Sequence, residues 1–210
     1  MTDRPGLRER KKEATRAALS AAALRLALER GPDNVRVDDI AAAAGVSPRT
    51  YNNYFSSREQ AITAAITARR ASRTAAGVAG RPARVGLAES VIDAVCDQYA
   101  DGGDDDPAAL LMIISTPALR TCYLDTVATI EDALADGIAQ RHPDLDPRTA
   151  EVLAAAVGAA TRLALRNWLD SASTPSSIPG FVVPTGSLPD LVRTALTPLA
   201  PALDAAVQRR

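Results

Sequence analysis

Residues 36–58, RVDDIAAAAGVSPRTYNNYFSSR, constrain this chain more than any other stretch. Val37, Ile40, Ala41 and Ala44 recur at helical spacing, which puts one apolar face on a helix of about 37–44. Gly45 follows, and a left-handed backbone costs glycine least. Ser47 suits an N-cap, and Pro48 suits the first helical position, where a missing N–H goes unneeded. The spacing therefore predicts a second helix of about 48–54, joined to the first by a tight turn. Tyr51 and Phe55 lie four apart and share its inward side as core packing, while Arg49, Asn52 and Asn53 point outward and Thr50 reaches from the edge. The chain holds only seven aromatic residues, and three of them, Tyr51, Tyr54 and Phe55, fall within five positions. That concentration on a short polar helix marks a recognition surface.

The rest of the chain reads as helix. Its apolar content is mostly alanine and leucine, and alternating β-branched and aromatic runs are nearly absent. One apolar stripe (Leu19, Ala22, Ala23, Leu26, Ala27) predicts a first helix over 8–30, stopped by Gly31 and Pro32. Ser56 or Ser57 caps a fourth helix that is expected to reach about residue 75. A Gly/Arg/Pro stretch, 77–86, looks like a joint. Further helices are expected over 87–100, from Pro107, over 117–141, over 147–170 and over 189–206. Pro198 and Pro201 should kink or end the last of these. The acidic loop DGGDDD (101–106) and the Pro/Ser/Gly-rich stretch 171–189 separate them. The fold class is all-α: a three-helix helix-turn-helix domain over 1–57, a connecting helix and joint over 58–83, and a larger helical domain over 84–210.

Charge divides along the same line. Residues 1–84 hold sixteen Lys or Arg against eight Asp or Glu, a net +8, which leaves eight against seventeen, a net −9, in the remainder. A basic head suits a polyanion, and an acidic body would be repelled by one. Other classes find little support. The sole histidine, His142, sits in a Pro-flanked turn, and no metal-ligand spacing or Gly-rich phosphate loop after a strand is present. The DDD at 104–106 reads as a solvated loop. No cofactor, no metal and no enzymatic activity are expected. Cys96 and Cys122 read as free thiols in a reducing compartment. No apolar stretch reaches the roughly 18–20 residues that span a bilayer. The start of the chain lacks a secretory signal. A cytoplasmic protein with no membrane partner is expected.

The major groove of DNA is wide enough to admit one helix. Arginine can bond guanine bidentately and asparagine can do so to adenine, which assigns base readout to Arg49, Asn52 and Asn53. Tyr54 and Arg58 are better placed for phosphate. So are Ser47, Pro48 and the backbone N–H groups that follow at the helix start. The basic run Arg8, Arg10, Lys11 and Lys12 suits backbone or minor-groove contacts, or a solvated terminus.

LSAAALRLALERG followed by VRVDDIAAAAGVSPRTYNNYFSSREQAI resembles the N-terminal domain of the tetracycline-repressor (TetR) family of bacterial transcriptional regulators. The resemblance covers about residues 8–66: an Asp-Ile-Ala run, Ala-Gly-Val-Ser, a threonine early in the third helix, an aromatic pair, and a basic residue three beyond Phe55. It implies that Thr50 touches DNA, that Tyr54 contacts phosphate, and that Arg58 takes the place of a phosphate-binding lysine. Two positions depart from the family. Asn52 replaces a common tyrosine, so a base or water-mediated contact can stand in for a phosphate contact. Arg36 replaces a threonine that caps the second helix, and is free to bind phosphate instead.

Beyond residue 66 the likeness is one of plan. It implies a homodimer built from the last two long helices, a palindromic double-stranded DNA operator, and a small-molecule effector held among the middle helices. Val152, Leu153, Ala156, Val157, Ala160 and Leu163 permit close helix approach, either to a second copy or within one core. Candidate effector contacts are Cys96, Tyr99, Met112, Cys122, Tyr123, Asn167 and Trp168, with Arg120 or Arg166 for an acidic group. The expected function is a repressor released by a small, largely apolar molecule. The alternatives are a DNA-binding regulator without an effector, or an activator.

Overall fold

The computed structural model describes residues 6–100, 107–126, 128–172 and 187–208. These residues form helices and turns, with no strand among them. The predicted DGGDDD loop and most of the 171–189 stretch lie outside the described residues.

The chain divides into two compact units, each with its own core. The first contains everything up to Ile66 together with α6 (Pro107–Ser115) and the part of α7 (Pro117–Thr126) up to Tyr123. Its α1 spans Leu7–Arg30 and buries Leu19, Ala22, Ala23, Leu24, Leu26 and Ala27, the stripe the spacing predicts. Gly31 ends it at φ +80°, donating its N–H to Ala27 O at 2.9 Å. The Asn34 side chain covers a second orphan carbonyl, Arg30 O, at 2.8 Å. A single 3₁₀ turn, Pro32–Asn34, leads to α2 (Val37–Ala43), which buries Ile40 and Ala41. Gly45, at φ +69°, donates to Ala42 O, and Val46 donates to Ala41 O. This is the Schellman pairing, and it is why glycine follows α2. α3 is a short helix, Pro48–Asn52. α6 lies against α1, adding Ala109, Ile113 and Ile114 to the core.

The second unit contains α4 (Arg58–Gly80) from Thr67 onward, α5 (Leu87–Cys96), the end of α7, α8 (Ala128–Arg141), α9 (Pro147–Ala172), α10 (Leu188–Leu196) and α11 (Ala200–Gln208). α9 packs against α8 and α10, and α5 packs against α10 and α11. α4 runs five residues past its predicted end because tertiary contact overrides the weak helix propensity of glycine. A Cβ on Gly77 would stand 3.1 Å from Ala94 Cβ, and one on Gly137 would stand 2.9 Å from Ala75 O. These two glycines let α5 and α8 approach α4 at backbone distance. The joint is thereby shortened to 81–86, and Arg141 anchors it: its guanidinium donates to the carbonyls of Arg81, Pro82 (2.9 Å) and Val85 (2.7 Å).

One other boundary differs from expectation. The α5 helix gives way to turns after Cys96. The predicted 117–141 helix is described as two segments, α7 and α8, with residue 127 outside the described residues. The last predicted helix breaks at a 3₁₀ turn, Thr197–Leu199, as Pro198 and Pro201 require.

Candidate nucleic-acid interface

The Ser47 hydroxyl accepts from Thr50 N at 3.1 Å and so caps α3, with Pro48 at its first position. The hydroxyls of Ser47 and Thr50 are also paired at 2.9 Å. Tyr51 and Phe55 are buried, 1% and 2% exposed, with ring centroids 5.8 Å apart. The Tyr51 hydroxyl donates to Ser57 O at 2.7 Å, and burial, with Glu59 adding to it, pushes this phenol up to about 12. Two buried rings thus hold α3 from behind. Arg16 of α1 holds its far end, with its guanidinium 4.6 Å from the Phe55 ring and donating to Tyr54 O at 3.1 Å.

With that side fixed, Ser47, Pro48, Arg49, Asn52 and Asn53 are exposed, and Thr50 and Tyr54 are half-buried beside them. Arg36 is also exposed at the start of α2. The capping threonine it replaces is partly compensated: the Asp39 carboxylate accepts from Arg36 N at 3.3 Å. An arginine side chain has no acceptor, so only this half of a capping box can form. Arg8, Arg10, Lys11 and Lys12 lie exposed on the first turns of α1, where Lys12 pairs with Glu9 at 3.5 Å. That exposed pair contributes little to stability and leaves the charge near the surface.

Arg58 is placed differently from the others. It is not aligned with the exposed row but turned onto the 3₁₀ turn, donating to Asp33 O (2.8 Å) and Val35 O (3.3 Å) and pairing with the Asp33 (3.1 Å) and Glu59 (2.7 Å) carboxylates.

The comparisons with known proteins decide the family. The model for bacterial regulatory proteins of the TetR family matches residues 19–65, and that of the MftR C-terminal domain matches residues 85–204. The chain is 34% identical over 183 residues to the HTH-type transcriptional regulator TcmR of Streptomyces glaucescens, covering 81% of this chain and 80% of that one. The chain belongs to the TetR family. It is accordingly a DNA-binding transcriptional regulator with a helix-turn-helix domain. The fold resembles that of AlkX, a TetR-family repressor from Dietzia sp. implicated in biodegradation of n-alkanes, with a TM-score of 0.50, 17% identity, and coverage of 91% of this chain and 98% of that one. No helix among the described residues is long and apolar enough to cross a membrane.

The effector candidates of this TetR-family chain are divided between the two units. Met112, Arg120, Cys122 and Tyr123 fall in the first unit, while Cys96, Tyr99, Asn167 and Trp168 fall in the second. Arg120 donates to Ile114 O at 2.7 Å, and the Cys122 thiol pairs with Thr63 Oγ1 at 3.4 Å. Asn167 and Arg166 are exposed. The Cys96 thiol, buried and pushed up by that burial, donates to Pro189 O at 3.6 Å. Of these residues, Tyr99 lines a small, partly open cavity of about 20 Å³, roughly the room of one water molecule, within the second unit. Thr74, Gln98, Glu131, Gly158 and Thr161 line it as well. Sequence reasoning missed them, although each is a polar residue or glycine interrupting an apolar helical face. The Thr74 hydroxyl is buried there without a hydrogen-bond partner among the described residues. Glu131 pairs with Arg162 at 3.1 Å, and a Cβ on Gly158 would collide with its carboxylate. Arg70, 2% exposed, stacks its guanidinium 4.8 Å from the Tyr99 ring.

Proposed function

We propose that the chain acts as a homodimeric repressor of a palindromic operator and is released when a small, largely apolar molecule enters the second unit. The observation that carries the DNA reading is the exposed row Ser47, Pro48, Arg49, Asn52 and Asn53 over the buried pair Tyr51 and Phe55. Arg49, Asn52 and Asn53 read bases, and Thr50 supports them from the edge. Ser47 and the backbone N–H groups that follow Pro48, with Tyr54 and Arg36, position the helix on phosphate. A two-fold dimer presents two such helices to half-sites about one helical turn apart, or a multiple of it. The exposed apolar side chains of α9 support that pairing.

The cavity beside Tyr99, about 20 Å³, is where an effector would enter the second unit, and it must widen to admit one. Its lining is mostly apolar, with the Thr74 hydroxyl offering a hydrogen bond. A ligand that prefers the released geometry by a few kcal/mol is sufficient to shift the equilibrium.

Selection of bound fragments from random-sequence duplex DNA by the purified protein tests the first part. The expected product is a two-fold symmetric site. Arg49→Ala or Asn53→Ala should then cost about 1–3 kcal/mol and relax base preference at one position in each half-site. An Arg49→Ala protein that selects the same sequence as strongly would overturn the base-readout assignment. Thermal-shift screening of small apolar molecules tests the second part. A compound that raises the melting temperature should also weaken operator binding; stabilisation without that loss would refute release.

A further inference from the structure

A guanidinium carries five N–H donors in a rigid fork, and four contacts of Arg58 are already directed within its own unit. Nε donates to Glu59 Oε1 (2.7 Å), Nη1 to the carbonyls of Asp33 (2.8 Å) and Val35 (3.3 Å), and Nη2 to Asp33 Oδ1 (3.1 Å). The two carbonyls lie at the end of the 3₁₀ turn that feeds α2 and just past it, where Val35 is already extended and the helical ladder has stopped, so they need a donor from elsewhere. Val35 itself is 1% exposed, which places the contact at the edge of the core.

We propose that Arg58 is a positioning residue of the DNA-binding head: it fastens the first turn of α4 to the 33–35 turn and does not commit its donors to a DNA phosphate. The residue just before that turn also receives the other end of the head. Ser57 O accepts from the Tyr51 hydroxyl at 2.7 Å. The start of α2 and the recognition helix therefore hang on one anchor, and they move together when α4 moves. Lysine cannot replace this clamp, because three donors on one nitrogen do not reach two carbonyls and two carboxylates in a plane. Burial alone would raise the Glu59 carboxyl, yet the hydrogen bonds from Arg58 and the backbone outweigh it and hold it below the usual range. The charge of Arg58 is thus already opposed by Asp33 and Glu59.

The inference rests on the DNA-binding reading above, and two measurements keep them separable. The first uses the duplex selected by the wild-type protein and titrates binding across salt for Arg58→Lys and Arg58→Gln. Both substitutions are expected to weaken binding by about tenfold, through loss of hydrogen bonds to charged and carbonyl groups, with the wild-type salt slope retained. A phosphate contact would instead be rescued by lysine, and glutamine would lower the slope by about one; that result overturns the proposal. The second measurement is amide hydrogen exchange over residues 33–37 in the DNA-free protein, which should quicken in both variants. Unchanged exchange there overturns the clamp whatever DNA does, whereas failure of the wild type to select any duplex sinks only the DNA reading. Should the glutamine variant fail to fold, Asp33→Asn removes one end of the clamp at a side chain 83% exposed, and the same exchange measurement decides.

Discussion

Arg49, Arg16 and Arg58 lie within one small unit, and position alone separates what their guanidinium groups do. Arg49 is exposed on α3, Arg16 stacks on Phe55, and Arg58 holds a turn. Spacing shows which way a helical residue faces, so the outward placement of Arg49, Asn52 and Asn53 was legible. The carbonyls of Tyr54 and Asp33, to which Arg16 and Arg58 donate, lie 38 and 25 residues away, and no periodicity encodes them. His142 carries a prediction at this scale. Burial, with the neighbouring Arg141 charge, lowers its pKa below 6.5, and its Nε2 is buried. The folded state therefore binds fewer protons than the unfolded chain, and stability rises with pH across this group. The contribution is full above about 6.5 and is lost as pH falls through the lower, folded value. Chemical denaturation of the wild type should show this decline, and His142→Gln should flatten it. An unaltered pH profile in the variant would show that another group is responsible.

Among the helices, the ends carry as much information as the faces. The stops at Gly31 and Gly45 and the cap at Ser47 were readable, because a positive φ and a side-chain acceptor are properties of single residues. The N-terminus of α5 was not. Its cap is the Asp204 carboxylate on α11, which accepts from Ala88 N at 3.0 Å across 116 residues. Asp204→Ala should cost about 1 kcal/mol, the usual value of an N-cap, and a denaturant melt would measure it. A loss near zero would mean that water replaces the carboxylate. Gly137 makes a second case. A Cβ there meets the Ala75 backbone, which cannot swing away as a side chain can. Gly137→Ala should destabilise by about 1–3 kcal/mol despite the better helix propensity of alanine, so the sign of the change discriminates packing from propensity.

For the whole protein, assembly is the open prediction. α9 leaves Val152 67% and Leu163 55% exposed, while Val157 on its other side is 2% exposed. The sequence grouped all three on one small apolar helix and left both a partner copy and a single core open; the fold sorts them, and the two exposed side chains are those available to a second copy. Val152→Glu combined with Leu163→Glu should weaken self-association by about tenfold or more in sedimentation, with the melting of the monomer little changed. Operator affinity should fall in step, since two half-sites then bind separately. Dimers that persist in this variant would place the interface elsewhere.

The sequence by itself determined the all-helical class, the recognition helix with its inward and outward sides, and the family, because each rests on contacts or spacings within a few residues. Only the tertiary structure decided how far α4 runs, where the effector candidates fall, what caps α5 and what Arg58 holds. Those depend on which distant backbone atoms are left needing a donor, and on where two helices must approach without a Cβ between them. Neither quantity exists until the chain has closed on itself.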